Sequence, residues 1–234
     1  MTVGVFKFPH TPHLAWLASG QPRDDKLLSD AGRAAFLSGE ILVEEKVDGA
    51  NLGLFVGGDG RLRAQNRGMV LAAGAHPQFG PLWPWMAACE QALAVALGSD
   101  LMLFGEWCFA VHSVRYDSLP DWFLGFDVCD LRTRRFWSSE RRDVLLCELA
   151  IARVPTLARG RFDLEALVKL LDEAGSRVGA GRVEGLYLRR EEGGRGGGVG
   201  RGHGGECLGG CEGRPGRVGP REDADAHQGA HGDG

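Results

Sequence analysis

Lys46 stands in the run Glu45-Lys46-Val47-Asp48-Gly49-Ala50-Asn51 and is one of only four lysines in the chain, with Lys7, Lys26 and Lys169, against 23 arginines. A lysine amine can lose its proton and attack a phosphorus atom, whereas an arginine stays protonated and cannot. The residues before it, Ile41-Leu42-Val43, form an apolar strand-like run, and Asp48-Gly49 after it is a turn signal. This spacing sets an amine at the tip of a rigid element beside three carboxylates, Glu44, Glu45 and Asp48. Such a grouping suits a covalent nucleophile working with a metal ion. The same letters also describe a hairpin with an exposed lysine, and on the tetrapeptide Lys46–Gly49 alone the hairpin is the expected reading.

Four further segments bear on the choice, each with a structural and a chemical reading. Arg61-Leu62-Arg63-Ala64-Gln65-Asn66-Arg67 ends a strand on an arginine, which is either a solvated edge or a phosphate contact. Leu103-Phe104-Gly105-Glu106-Trp107 puts one carboxylate inside an apolar strand, a position tolerated only when the charge is paired or bound. Phe123-Leu124-Gly125-Phe126-Asp127-Val128 repeats the pattern, with Phe126 either filling a core or stacking on a base. Val183-Glu184-Gly185-Leu186-Tyr187-Leu188-Arg189 carries another strand carboxylate followed by a basic residue. Asp48, Glu106, Asp127 and Glu184 thus each lie in or at the end of an apolar strand. Together with one strand-end lysine they suggest the wall of a nucleotide and metal pocket.

The elements that must position these residues are legible in outline. Ser29–Leu37, Met86–Leu97, Ser139–Ala150 and Asp163–Ala174 are predicted helices, with Ser139 and Asp163 as N-caps and Gly98 as a stop. Ile41–Lys46 and Asn51–Val56 are predicted strands around the Asp48-Gly49 turn. Arg61–Asn66, Leu101–Phe109, Trp122–Leu131 and Val183–Arg190 complete the strands. Mostly antiparallel strands with interspersed helices make an α+β domain.

Composition divides the chain at residue 192. Residues 193–234 hold 17 glycines in 42 positions and no aromatic residue. Such a segment cannot bury enough apolar surface to offset its ordering entropy, so it is expected to be a disordered tail beside a globular domain at 1–192. Its His203, Cys207 and Cys211 do not make a common zinc spacing, and its Arg-Gly runs are balanced by six acidic residues against five arginines. Net charge is −4, so no global basic field advertises nucleic acid. Of six scattered cysteines, the four in apolar, element-like surroundings (89, 108, 129 and 147) read as reduced, packed thiols of a cytoplasmic protein. No apolar run approaches the roughly 18 to 20 residues needed to span a bilayer.

The ordered set Lys46-Val47-Asp48-Gly49-Ala50-Asn51, Gln65-Asn66-Arg67, Phe104-Gly105-Glu106, Phe126-Asp127 and Glu184-Gly185-Leu186 resembles the motifs of covalent nucleotidyltransferases. With Asn51 at its place in the first motif, residues 3–192 resemble an ATP-dependent RNA ligase of the phage nick-sealing type. The resemblance implies a nucleotidyltransferase domain (an ATP-grasp-like ligase adenylation domain) that uses ATP and Mg²⁺ or Mn²⁺ on RNA; a monomer with no membrane partner is expected. It implies that Lys46 forms lysyl-AMP, that Glu106 holds the ribose, that Phe126 stacks on adenine and that Arg67 contacts phosphate. Glu184 would engage the catalytic metal and Glu45 would help place a second ion. Asp48, Gly49 and Asn51 would shape the nucleotide loop, and Arg189 would stand where the family usually carries a lysine. The family also carries a Lys-x-Lys pair on a following strand, whereas this chain has no lysine after Lys169. Two alternatives remain open on these residues: a catalytically impaired relative that binds nucleotide or RNA, and a DNA ligase or capping-type enzyme.

Overall fold

The computed structural model describes residues 6–17, 27–74, 76–112, 114–190 and 205–209. Two sheets make up the fold. The first runs in the order β1 (His13–Trp16), β11 (Gly205–Gly209), β10 (Gly185–Arg190), β2 (Ile41–Glu45) and β9 (Thr156–Gly160). The second runs β5 (Met69–Val70), β4 (Leu62–Asn66), β3 (Ala50–Val56), β6 (Leu101–Trp107), β7 (Phe123–Asp130) and β8 (Arg135–Phe136). Neighbours pair antiparallel except β1 and β11, which are parallel. With helices α1 (Asp30–Leu37), α2 (Leu82–Leu97), α3 (Ser139–Glu148) and α4 (Leu164–Glu173), the α+β class is as expected.

Two-residue alternation decides which face of each strand is greasy. In the first sheet Ile41 and Val43 of β2, and Leu186 and Leu188 of β10, join a core with Leu167 and Leu171 of α4 and Phe36 of α1. Leu167 and Leu171 are one turn apart, so a single stripe of α4 meets the sheet. In the second sheet Leu52, Leu54 and Val56 of β3, with Leu103 and Trp107 of β6, pack with Leu82, Met86, Leu93 and Leu97 of α2. The opposite face of β3, β6 and β7 carries Phe55, Met102, Phe104, Leu124 and Phe126 in a third cluster, which Val47 also joins.

The helix starts follow from local chemistry. Ser29 Oγ accepts the Gly32 amide at 3.1 Å and Asp163 Oδ1 accepts the Ala166 amide at 2.8 Å, so each hydroxyl or carboxylate takes up an otherwise orphaned amide. The cap of α3 is Ser138 rather than the expected Ser139, and it accepts the Arg141 amide. Helix α2 begins four residues earlier than expected. Pro84 reads as a breaker, but it falls in the first turn, where its missing N–H leaves no helical bond unmade.

Two expectations need correction. The strands on either side of Asp48-Gly49 do not form a hairpin: β2 pairs with β10 and β9 in the first sheet, and β3 pairs with β4 and β6 in the second. Residues 46–49 instead carry the chain from one sheet to the other. The tail is not uniformly without secondary structure either, because Gly205–Gly209 forms β11 between β1 and β10. Open strand edges offer backbone partners whatever the side chains, which a burial argument does not weigh. The rest of that segment lies outside the described residues. No helix among the described residues is long and apolar enough to cross a membrane.

Candidate active site

A cleft of about 200 Å³ opens beside the 46–49 crossing. Glu44, Glu45, Tyr187 and Arg189 line it from the first sheet; Asn51, Glu106 and Phe126 line it from the second. Lys46 and Val47 close one end, and Phe8 and Thr11 of the N-terminal segment also contribute.

Lys46 is held at both its backbone and its side chain. Its amide donates to the Gly185 carbonyl at 2.9 Å, and its Nζ donates to Glu184 Oε1 at 2.5 Å. The side chain keeps 32% of its exposure, so the amine is accessible while oriented by one carboxylate. The corner that follows is fixed twice. The Asp48 amide donates to Tyr116 Oη at 2.7 Å, and Gly49 approaches the Trp107 carbonyl so closely that a Cβ would sit 2.8 Å from that oxygen. Real Cβ atoms do not come that near a backbone oxygen, so this glycine is needed for its lack of a side chain rather than for an unusual dihedral.

Across the cleft Asn51 and Glu106 are paired residues of β3 and β6, on the face opposite the α2 core. Burial pushes the Glu106 carboxyl up to about 8; Lys46 and Asn51 act in the other direction, while Asp48 and Glu184 add to the rise. In the ligand-free protein Glu106 therefore holds a proton near neutrality, and the unfolded chain does not. Its contribution to stability is complete below the ordinary carboxyl value of 4.5 and is lost as pH rises through about 8. Glu106→Gln should flatten this decline, and urea unfolding midpoints of both proteins across that pH range will show whether it does.

Phe126 lies at a β-bulge. Phe104 pairs with Asp127 and Gly105 with Gly125, which leaves Phe126 as the extra residue of β7. Phe126 shares the cleft-side cluster with Leu124, two residues before it, and the bulge leaves its carbonyl free for other partners. That oxygen instead accepts from Arg142 Nη1 at 2.6 Å and from Arg189 Nη2 at 2.8 Å. Phe8 meets the Phe126 ring edge-on at 5.3 Å between centroids.

The expected site residues are thus placed unevenly. Lys46, Glu45, Asn51, Glu106, Phe126 and Arg189 line the cleft, with Glu184 on the lysine and Asp48 and Gly49 in the corner. Arg67 does not line it: it is exposed in the turn between β4 and β5, with a left-handed φ of 49°. Arg189 lines the cleft but its guanidinium is engaged, donating to Glu44 at 2.5 Å, to Asp127 at 2.7 Å and to the Phe126 carbonyl. Asp127, expected in the pocket wall, does not line the cleft and serves instead as a partner of that arginine. Both oxygens of Glu45 are likewise engaged, by Ser176 Oγ at 2.5 Å and the Arg177 amide at 2.8 Å. Glu45 therefore ties the 176–177 loop to β2, a role its sequence position did not suggest. Phe8, Thr11 and Val154 were missed, since nothing local marks a residue that reaches the site from a distant segment, and Tyr187 was passed over between Glu184 and Arg189 because an aromatic residue in a strand reads as core.

Among the described residues no cluster of three or more His, Cys, Asp or Glu side chains could hold a metal by itself. This donor set fits a hard cation shared with a ligand, because Mg²⁺ is commonly held by one or two carboxylates plus substrate phosphates. Glu184, beside the lysine, and Glu45 are the carboxylates that could take such a part.

The profile of the family described as RNA ligase matches residues 39–200, which contain both walls of this cleft. The chain belongs to the RNA ligase family. The fold is similar to that of a Naegleria gruberi RNA ligase mutant solved with ATP and Mn, with a TM-score of 0.55 and 16% identity over 85% of this chain and 61% of that one. An apo mutant of the same ligase gives a TM-score of 0.53 at 16% identity over 85% and 60%, and a mutant solved with AMP and Mn gives 0.52 at 16% over 79% and 59%. At this identity the likeness establishes a shared fold, and the chain spans only about half to three fifths of the length of these solved structures. No curated protein sequence matches the chain.

Proposed function

We propose that residues 1–192 form the nucleotidyl-transfer domain of an ATP-dependent RNA ligase. It would join a 3′-hydroxyl to a 5′-phosphate through a lysyl-AMP intermediate. The observation that carries this reading is the accessible Lys46 side chain lining a two-sheet cleft, its amine oriented by Glu184 at 2.5 Å. Family membership supports it.

The Lys46 nitrogen attacks the α-phosphorus of ATP, the bond to pyrophosphate breaks and the amine loses a proton. An oxygen of the RNA 5′-phosphate then attacks the same phosphorus, freeing Lys46. The 3′-hydroxyl finally attacks the 5′-phosphate and expels AMP. Transfer at phosphorus depends on in-line placement and charge neutralisation more than on covalent participation by many groups. Glu184 would hold Mg²⁺ or Mn²⁺ together with the phosphates, and the ion would supply that neutralisation. Glu106 would contact the ribose and Phe126 the adenine. The domain would act as a monomer on RNA and ATP. A cytoplasmic setting fits the free Cys108 and Cys129 thiols, which burial pushes up to about 12 and so leaves unreactive.

A direct test is the joining of 5′-labelled RNA with ATP and Mg²⁺, nicked and single-stranded, with matched DNA strands alongside. Longer product from RNA alone is expected. Product from DNA strands only, or none even from pre-adenylated RNA, would count against the reading. The absence of any lysine after Lys169 favours slow self-adenylation, so pre-adenylated RNA should be sealed faster than RNA supplied with ATP. A protein that binds ATP but never seals would be the impaired relative.

Phe126→Leu tests the adenine contact. It should weaken ATP binding by about 1 to 3 kcal/mol, the worth of a base stacked on an aromatic ring, while Phe126→Tyr is tolerated. Equal ATP affinity in Phe126→Leu and the wild type would return Phe126 to a purely packing role.

A further inference from the structure

A buried ionic cluster lies behind the cleft. Glu44 on β2 is 0% exposed, and its two oxygens accept from Arg142 Nη2 at 2.7 Å and from Arg189 Nε at 2.5 Å. Arg142, on α3, is 1% exposed. Both arginines also donate to the carbonyl of Phe126 at the β7 bulge, and Arg189 continues to Asp127. Arg142 Nε is taken by Asp143 at 2.8 Å. Burial alone would raise the Glu44 carboxyl, but Arg189 and Arg142 outweigh it and hold the group below its usual value.

The placement of these groups is informative. Glu44 and Arg189 belong to the first sheet, Phe126 and Asp127 to the second, and among the described residues no strand of one sheet pairs with a strand of the other. Glu44 is two residues from Lys46, and Phe126 is the aromatic wall facing the cleft. The cluster therefore bridges the strand that carries the amine and the bulge that carries the ring. Apolar residues of similar volume would hold two sheets together without desolvating four charges. What they would not supply is direction: two planar guanidiniums, each satisfied at three nitrogens, fix both the separation and the rotation of what they bind.

We propose that Arg142, with Glu44 and Arg189, is a positioning brace that sets the span between the Lys46 amine and the Phe126 ring, and hence the alignment of a nucleotide's base and α-phosphate. Arg142 does not line the cleft, so it acts through Phe126 and Glu44. On this account Arg189 is committed to the brace rather than to a nucleotide phosphate. The proposal rests on the nucleotidyl-transfer reading above.

The test uses Arg142→Lys and Glu44→Gln in the full chain, at a temperature where circular dichroism shows each to be folded. A lysine cannot reach Glu44, the Phe126 carbonyl and Asp143 together. A glutamine keeps the shape of Glu44 but weakens both arginine contacts. Lysyl-AMP formation at saturating ATP should fall roughly 100-fold in Arg142→Lys, as expected when reacting atoms are displaced by about an ångström. Calorimetric ATP affinity should fall about tenfold, through partial loss of stacking. If either variant fails to fold, the other carries both measurements. Lower melting temperatures with wild-type rate and affinity in the folded protein would reduce the cluster to a structural role and overturn the proposal. If the wild type itself forms no adduct, the nucleotidyl-transfer reading fails, and ATP affinity still decides whether the brace shapes the cleft.

Discussion

Lys46→Ala and Lys46→Arg are both expected to form no covalent nucleotide adduct. The alanine removes the nucleophile. The arginine keeps a positive charge within reach of Glu184, which accepts from Lys46 Nζ at 2.5 Å in the native chain, but a guanidinium does not deprotonate and so cannot attack phosphorus. The pair separates nucleophilicity from charge. If the lysine served only as a counter-ion to Glu184, Lys46→Arg would keep much of whatever adduct the wild type forms. Equal loss in both variants, with ATP still bound, identifies the amine as the reacting group. The measurement is retention of label from α-labelled ATP on denatured protein.

Glu44→Ala should destabilise the fold by about 3 to 5 kcal/mol, because it removes the carboxylate that two buried guanidiniums share and leaves each with one acidic partner, Asp143 or Asp127. Arg142 and Arg189 are 1% and 5% exposed, so neither regains full hydration where it stands. Against a total stability on the order of 5 to 15 kcal/mol, a loss of that size is large enough to unfold a marginal domain. The companion Glu44→Gln should cost clearly less, since its carbonyl oxygen still accepts one guanidinium bond. Urea midpoints for the two variants give the comparison. A Glu44→Ala protein as stable as the wild type would mean that water or another anion reaches the arginines.

How much of this was readable from residue order depends on how local each signal is. Strands β2, β3, β4, β6, β7 and β10 announce themselves, because each alternates or runs apolar between turn residues. Helices α1 and α4 do so through their caps and stripes. The site's lysine and the carboxylates Glu106 and Glu184 were legible because an ionisable group inside an apolar strand is expensive and calls for a reason. Pairing was not legible. The Asp48-Gly49 turn looks like a hairpin from within, and only the competing partners β9 and β10 show that it is a crossing between sheets. Strand β9, Thr156-Leu-Ala-Arg-Gly160, has too weak an alternation to stand out, although it pairs directly with β2, the strand that leads to Lys46.

Arg142 shows the same limit at the level of a single residue. It follows Arg141 in a polar helix, Ser-Glu-Arg-Arg-Asp, where both arginines read as solvated. One of them lies over the Trp137 ring and the other is buried against Glu44. Nothing in the spacing tells them apart, because the difference comes from β2 and β7, which meet α3 only in the folded chain. The bulge at Phe126 is equally silent. A one-residue slip between β6 and β7 leaves Phe126 unpaired and so presents the carbonyl that the arginines hold, and Gly125 gives only a general hint that regular pairing is interrupted.

The central claim is that Lys46 carries AMP, and one measurement addresses it most directly. The intact protein is incubated with Mg²⁺ and ATP labelled either at the α- or at the γ-phosphate, denatured, digested, and the labelled peptide sequenced. The account predicts label from the α-phosphate alone, on the peptide containing Lys46, in a bond that survives alkali and breaks in acid, as a phosphoramidate does. Label on any other residue, transfer of the γ-phosphate, or no covalent label from a folded protein that binds ATP would contradict it.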